Sequence, residues 1–154
     1  MKIIITIILF LITFNGFSQN PEQFIKNYAR LAKNEQHRVG VPASVQLALG
    51  ILISKSQTTY VSKHYNNIFN LQCFSNSCNE GHCKEFKHKK YYYIFQHPAI
   101  GWKYNNNRLK KYKNNNYKNF CNYLEKGSYL QEHKLTSQDL IFTIEKYKLY
   151  KYDK

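Results

Sequence analysis

The nine residues Val45 to Ile53, VQLALGILI, constrain this chain more than any other stretch. Val45, Leu47, Ala48, Leu49, Ile51, Leu52 and Ile53 leave no polar face at helical spacing. A helix that is apolar on every side needs other elements all round it, so it belongs at the middle of a domain. Pro42 sits where such a helix would begin. The chain must therefore supply amphipathic helices to wrap this one.

Those helices are visible on both sides. Asn20-Pro21-Glu22 reads as an N-cap, a proline at the first helical position and an acid in the first turn. Phe24, Ile25, Tyr28, Leu31 and Ala32 then recur at helical spacing, and the helix should stop before Gly40. A short helix is expected over Tyr60–His64, another over Tyr117–Lys126 ending at Gly127, and a last one, capped by Ser137, carrying Leu140, Ile141, Ile144 and Tyr147. Tyr91 to Phe95 is β-prone and predicts one strand of a short hairpin ended by Pro98. The segment NNNRLKKYKNNN, Asn105 to Asn116, reads as a loop with at most a helical turn around Leu109. No internal repeat is apparent.

Residues 1–18 read as a secretory signal peptide, and residues 19–154 as one domain. Lys2 carries the charge, Ile3 to Phe14 the apolar run, and Gly16-Phe17-Ser18 the small residues of a cleavage site before Gln19. The run is shorter than the roughly 20 residues that span a bilayer, so no stable membrane span is expected after cleavage. An uncleaved anchor is the alternative. Export, to the periplasm or the exterior, makes Cys73, Cys78, Cys83 and Cys121 disulfide candidates, and four cysteines leave three pairings open. The Cys-x4-Cys-x4-Cys spacing with His82 does not fit the usual zinc ligand spacings, and neither a metal nor a cofactor is expected. The formal charge of +14 favours anionic partners. For an exported chain that means the envelope rather than nucleic acid, although lysines scattered among asparagines and tyrosines can also arise without selection for binding.

The order Pro-Ala-Ser-Val, apolar helix, short helix and Asn66-Asn67-Ile68-Phe69 resembles the bacterial glucosaminidase family of peptidoglycan hydrolases, also named for mannosyl-glycoprotein endo-β-N-acetylglucosaminidase. The resemblance continues through Cys73-Phe74, Cys78 and Gly81-His82-Cys83 to the close at Tyr150-Lys151-Tyr152-Asp153. It implies a mainly α, lysozyme-like helical domain with a small cysteine-rich loop and β-hairpin lobe.

In the family a pattern like Leu-Ala-Gln-x-x-Leu-Glu-Ser-Gly ends the central helix, and its glutamate is the catalytic acid. A buried carboxyl there holds its proton to near neutral pH and donates it to the glycosidic oxygen. Here the matching residues run Leu47-Ala48-Leu49-Gly50-Ile51-Leu52-Ile53-Ser54-Lys55. Ile53 stands in the acid position, Leu49 in that of glutamine, and Lys55 and Gln57 in those of the following glycines. The resemblance therefore implies a family member without its standard acid.

Glu80, Glu85 and Tyr129 are the residues through which a non-standard hydrolysis would run. Asn66, Asn67, Trp102, Tyr104 and Tyr129 are the candidates for contact with glycan, with core or turn roles as their alternatives. The implied partner is the peptidoglycan glycan strand. The alternatives are an active endo-β-N-acetylglucosaminidase using another carboxylate, and an envelope interaction module that binds a protein and no glycan.

Overall fold

The computed structural model describes residues 20–74, 82–87, 89–112 and 114–154. Residues 1–18, expected to form a signal peptide, and Cys78, Glu80 and Gly81 lie outside the described residues.

Helix α1 (Pro21–Val39) begins and ends where its residues dictate. The Asn20 side chain accepts from the Gln23 N–H at 3.0 Å, and Gly40 closes the helix at φ 75°, donating to the Gln36 carbonyl at 2.8 Å. Its inner stripe, Phe24, Ile25 and Ala32 with Tyr28 and Leu31 at the margin, lies on helix α2 (Ala43–Ser54). Every residue of α2 except Leu52 is buried, as the all-round apolar sequence requires. The two helices meet closely at Gly50, where an added Cβ would lie 2.5 Å from the Phe24 ring.

Because α2 is buried, its first N–H groups need protein partners. Pro42 offers no side-chain cap. Instead Asp153 accepts from the Ser44 N–H at 2.7 Å and the Ser44 hydroxyl at 2.6 Å, and Gln36 Oε1 accepts from the Ala43 N–H at 2.7 Å. The end of the chain thus caps its central helix.

Helix α3 (Tyr60–His64) follows, capped by Thr59. The asparagine corner then leads into a three-stranded antiparallel sheet, β1 (Gln72–Cys73), β2 (Cys83–Phe86) and β3 (Lys90–Tyr93), in the order β1-β3-β2. Gln72 stands opposite Tyr92 and Cys83 opposite Tyr93. A disulfide joins Cys73 to Cys83 and so links the two outer strands across β3. A crosslink closing so short a loop contributes about 2–3 kcal/mol by restricting the unfolded chain. Cys121 is not bonded. It is a buried free thiol on helix α5 (Tyr117–Lys126), and burial pushes its pKa up to about 12. Its place among the disulfide candidates is corrected: Cys121 is a core residue.

The segment read as a loop is mostly helical. Helix α4 (Pro98–Leu109) runs on into a 3₁₀ turn at Lys110–Tyr112. Its buried face alternates apolar and amide side chains, Trp102, Asn105, Asn106 and Leu109, and each amide finds a partner in the core for one of its two polar atoms. Asn106 donates to Gln46 Oε1 at 2.8 Å, and Asn105 Oδ1 accepts from the Tyr129 hydroxyl at 2.7 Å. A polar composition therefore hid a helix whose inner face is hydrogen-bonded rather than greasy.

Two short elements complete the wrap, helix α6 (Tyr129–Glu132) and helix α7 (Ser137–Lys146), followed by a 3₁₀ turn at Leu149–Tyr152. Thr136, not Ser137, caps α7 in a reciprocal box with Asp139. Ser137 donates instead to Glu125 at 2.8 Å, tying α7 to α5. No described helix is long and apolar enough to cross a membrane.

Candidate functional site: a cleft at the end of the central helix

The sheet and the C-terminal helices face each other across a cavity of about 470 Å³. Asn70, Leu71, Gln72 and Phe74 line it from the segment around β1, and Tyr93 from β3. Tyr104 and Arg108 come from α4, Glu132 and His133 from α6 and the turn after it. The C-terminal end of α2 is tied to this wall by a hydrogen bond: Asn70 Nδ2 donates to the Ile53 carbonyl at 3.3 Å. Asn70 itself takes φ 47°, a left-handed conformation that asparagine tolerates better than most side chains.

Ile53 is 8% exposed and packs with the core cluster. Beyond it the chain makes a turn that few sequences would choose. Lys55, Ser56 and Gln57 have φ of 50°, 55° and 67°, three successive left-handed residues, none of them glycine. Hydrogen bonds hold the turn in place: Ser56 N–H to the Ile51 carbonyl at 3.0 Å, Gln57 N–H to Ser54 Oγ at 2.8 Å, and the Tyr28 hydroxyl to Gln57 Oε1 at 2.8 Å. The backbone shape that glycines would favour persists, with Cβ-bearing residues in it.

The cavity's polar groups are arranged in pairs. Arg108 lies 3.3 and 3.5 Å from the two Glu132 oxygens, and its guanidinium sits 5.7 Å from the centre of the Tyr129 ring. The Tyr104 hydroxyl donates to that of Tyr93 at 3.2 Å, and this bond together with burial raises the Tyr93 pKa. His133 packs on Tyr129 at 5.3 Å; burial lowers its pKa, with the nearby Glu132 opposing and Arg108 assisting. Two buried cavity-wall atoms, His133 Nε2 and Asn70 Oδ1, have no hydrogen-bond partner among the described residues. The arrangement offers hydrogen bonds and aromatic faces to a polar ligand. Among the described residues no three His, Cys, Asp or Glu side chains gather as a metal site.

The residues singled out from sequence disperse. Of the glycan-contact candidates, Tyr104 lines the cavity, 41% exposed. Trp102 does not reach it: the indole is fully buried, stacked with Tyr28 at 5.1 Å, edge-on to Phe69 at 5.0 Å, and donates to Gln46 Oε1 at 2.6 Å. Asn67 is fully buried, donating to the Leu71 and Tyr93 carbonyls at 3.0 Å, and Asn66 donates to the Phe95 and Gln96 carbonyls at 2.8 and 3.2 Å. Both asparagines hold the corner against the chain beside β3. Tyr129 is buried beneath the cavity, and burial raises its pKa. Glu85 projects from β2 with its carboxylate 3.5 Å from the Tyr91 hydroxyl, outside the cavity wall. Glu80 lies outside the described residues.

Sequence reasoning passed over Tyr93, Arg108, Glu132 and His133. Arg108 and Glu132 are 24 residues apart, and only the packing of α4 beside α6 joins them. Glu132 and His133 carried a usable signal, since they stand three and four positions after Tyr129 and so share its helix face.

The glucosaminidase family model, described as mannosyl-glycoprotein endo-beta-N-acetylglucosaminidase, matches residues 29–149. Among solved structures, the catalytic domain of the autolysin Auto from Listeria monocytogenes is similar at TM-score 0.70 and 17% identity, covering 86% of each chain. An N-acetylmuramoyl-L-alanine amidase from Staphylococcus aureus is similar at TM-score 0.67 and 20% identity over 87% of this chain and 43% of that one. The glycoside hydrolase domain of FlgJ from Salmonella typhimurium is similar at TM-score 0.63 and 16% identity, over 84% of this chain and 89% of the other. A comparison with curated proteins returns no match. With four-fifths of its length under the family model and a lysozyme-like fold shared with these domains, the chain belongs to the glucosaminidase family.

Proposed function

We propose that this protein is an exported, peptidoglycan-binding member of the glucosaminidase family that has lost hydrolysis. Ile53 carries the reading. It occupies the end of α2, one hydrogen bond from the cleft wall, where the family places its proton donor, and a hydrocarbon side chain neither gives nor takes a proton. The leader-like N-terminus and the Cys73–Cys83 disulfide support export. The names of the similar domains, an autolysin and a glycoside hydrolase, support action at the wall.

One observation favours a second reading, residual hydrolysis: a carboxylate, Glu132, does line the cavity. A proton donor at neutral pH is best served by a buried, unpaired carboxyl. Glu132 is 54% exposed and faces Arg108, so the binding reading is preferred. Incubating the exported chain with purified peptidoglycan tests both. Pelleting with the wall and no released fragments is expected; fragments that disappear in Glu132→Gln would establish the second reading.

A further inference from the structure

We infer that the lysine-rich face at the end of α7 is a membrane-docking surface, which seats on anionic phospholipid through the phosphates of the headgroups. The face lies outside the cleft, and the inference is independent of what the cleft binds.

A cavity of about 410 Å³ opens between the first turns of α1 and the end of α7. Lys26 lines it from α1, and Lys146, Lys148 and Lys151 from the C-terminal turns, together with Tyr147 and Tyr152. It shares no lining residue with the cleft. All four lysines are exposed, and none forms an ion pair among the described residues. One carboxylate, Glu22, lines the cavity against them. The acids beside them in sequence are engaged elsewhere: Glu145 pairs with Lys118 at 3.0 Å, and Asp153 accepts from Ser44.

An ordered turn holds this charge in place. Lys148 takes φ 51°; its N–H donates to the Glu145 carbonyl at 3.1 Å, and its carbonyl accepts from the Lys151 N–H at 3.3 Å. Tyr147 and Tyr152 pack against the core, and the Lys146 and Lys151 ammonium groups lie 5.3 and 5.1 Å from their ring centres. Positive charge fixed in this way attracts an anionic surface without first having to be gathered.

Hydrocarbon beside the charge favours lipid over a soluble anion. Phe142, one helical turn before Lys146, is 63% exposed, and the Lys146 ammonium lies 6.0 Å from its ring. An exposed ring bordered by lysines suits the bilayer interface, where the ring leaves water and the ammonium groups meet phosphate. The N-terminal residues point to the same face. Residues 1–18, read as a signal peptide or alternatively as an anchor, directly precede α1, whose first turns line this cavity. Under either reading the chain meets a membrane at this end of the domain.

Co-sedimentation with vesicles of mixed phosphatidylglycerol and phosphatidylcholine tests this, using the chain from Gln19 on, which contains the whole described core. Pure phosphatidylcholine vesicles, soluble glycerophosphoglycerol and soluble polyglutamate are the comparison arms. Binding to the anionic vesicles should exceed that to neutral ones by about 30-fold or more, and weaken as salt rises. The triple change Lys146→Gln, Lys148→Gln, Lys151→Gln should cut it by about 20-fold or more. The same charge loss made elsewhere, Lys84→Gln, Lys110→Gln, Lys111→Gln, should cut it less than about fivefold. Phe142→Ser should cost about threefold or more on vesicles. Equal losses in the two triple variants overturn the docking face in favour of diffuse charge. Equal binding to neutral and anionic vesicles, or capture by polyglutamate as tight as by vesicles, overturns the phospholipid occupant. Release from vesicles by millimolar glycerophosphoglycerol would make the cavity a site for soluble phosphate and overturn docking as well.

Discussion

The Asn70 side-chain amide donates to the carbonyl of Ile53 at 3.3 Å and so fastens the end of the central helix to the wall of the cleft. Under the proposed reading, this fastened helix end is where a proton would have been delivered, and Ile53 has none to give.

Restoring a carboxyl at this site should carry a cost in stability. Ile53 is 8% exposed among apolar neighbours, so Ile53→Glu places a charge where burial disfavours it. Burial raises the folded-state pKa of the new carboxyl above its unfolded value, so the penalty is small at low pH and grows as pH rises through that folded pKa. Urea unfolding should show a loss of about 2–3 kcal/mol at pH 7 that shrinks toward pH 4. A loss independent of pH would mean that the carboxyl reaches water.

The left-handed turn predicts a gain. Lys55 is exposed at φ 50°, where an L side chain costs about 1–2 kcal/mol, offset in part by the greater freedom of an unfolded glycine. Lys55→Gly should stabilise by roughly 0.5–1 kcal/mol. Gln57→Gly should gain less, because it also removes the bond from Tyr28. Destabilisation by Lys55→Gly would mean that the lysine side chain holds the turn.

At the other end of α2, Asp153 should matter beyond its place at the chain terminus. Asp153→Ala leaves the Ser44 N–H without its partner and should cost about 1–2 kcal/mol in denaturant midpoint terms. Asp153→Asn should cost less, since one acceptor remains. Burial raises the Asp153 pKa, against the opposing bonds from Ser44. The folded state therefore binds its proton more tightly than the unfolded state, and stability relative to Asp153→Asn should fall as pH rises from about 3 through the raised pKa. The opposite slope would make the cap bonds, not burial, the larger influence.

Much of this architecture could be read in advance. The all-round apolar run predicted a buried helix, and Asn20-Pro21 and Gly40 marked the ends of α1 to the residue. What escaped were features made by distant partners. The α4 helix was hidden because Asn105 and Asn106 look like loop residues until Gln46 and Tyr129 are brought to them. Trp102 stood as a sugar-contact candidate with a core role as its alternative, and only the distant Gln46, which takes its indole N–H, decides for the core. Ile53 could be singled out because it falls at one position of a motif, whereas the Arg108–Glu132 pair exists only in the folded chain.

His133 supplies a pH test of the cleft. Burial lowers its folded-state pKa, so the imidazole resists protonation when folded but takes a proton freely when unfolded. That contribution is complete above about 6.5 and is lost as pH falls below it. His133→Gln should flatten the stability profile between about pH 6.5 and 5, read as thermal midpoints. An unchanged profile would show that the ring is hydrated in solution.

The most direct measurement is peptidoglycan turnover by the oxidised protein, run beside an active family member and followed both by wall pelleting and by release of soluble glycan fragments. Retention on the wall with no fragments above background is the result expected of a cleft whose proton donor has become Ile53. Fragments released by the native chain would contradict that loss and show that another carboxylate performs the hydrolysis.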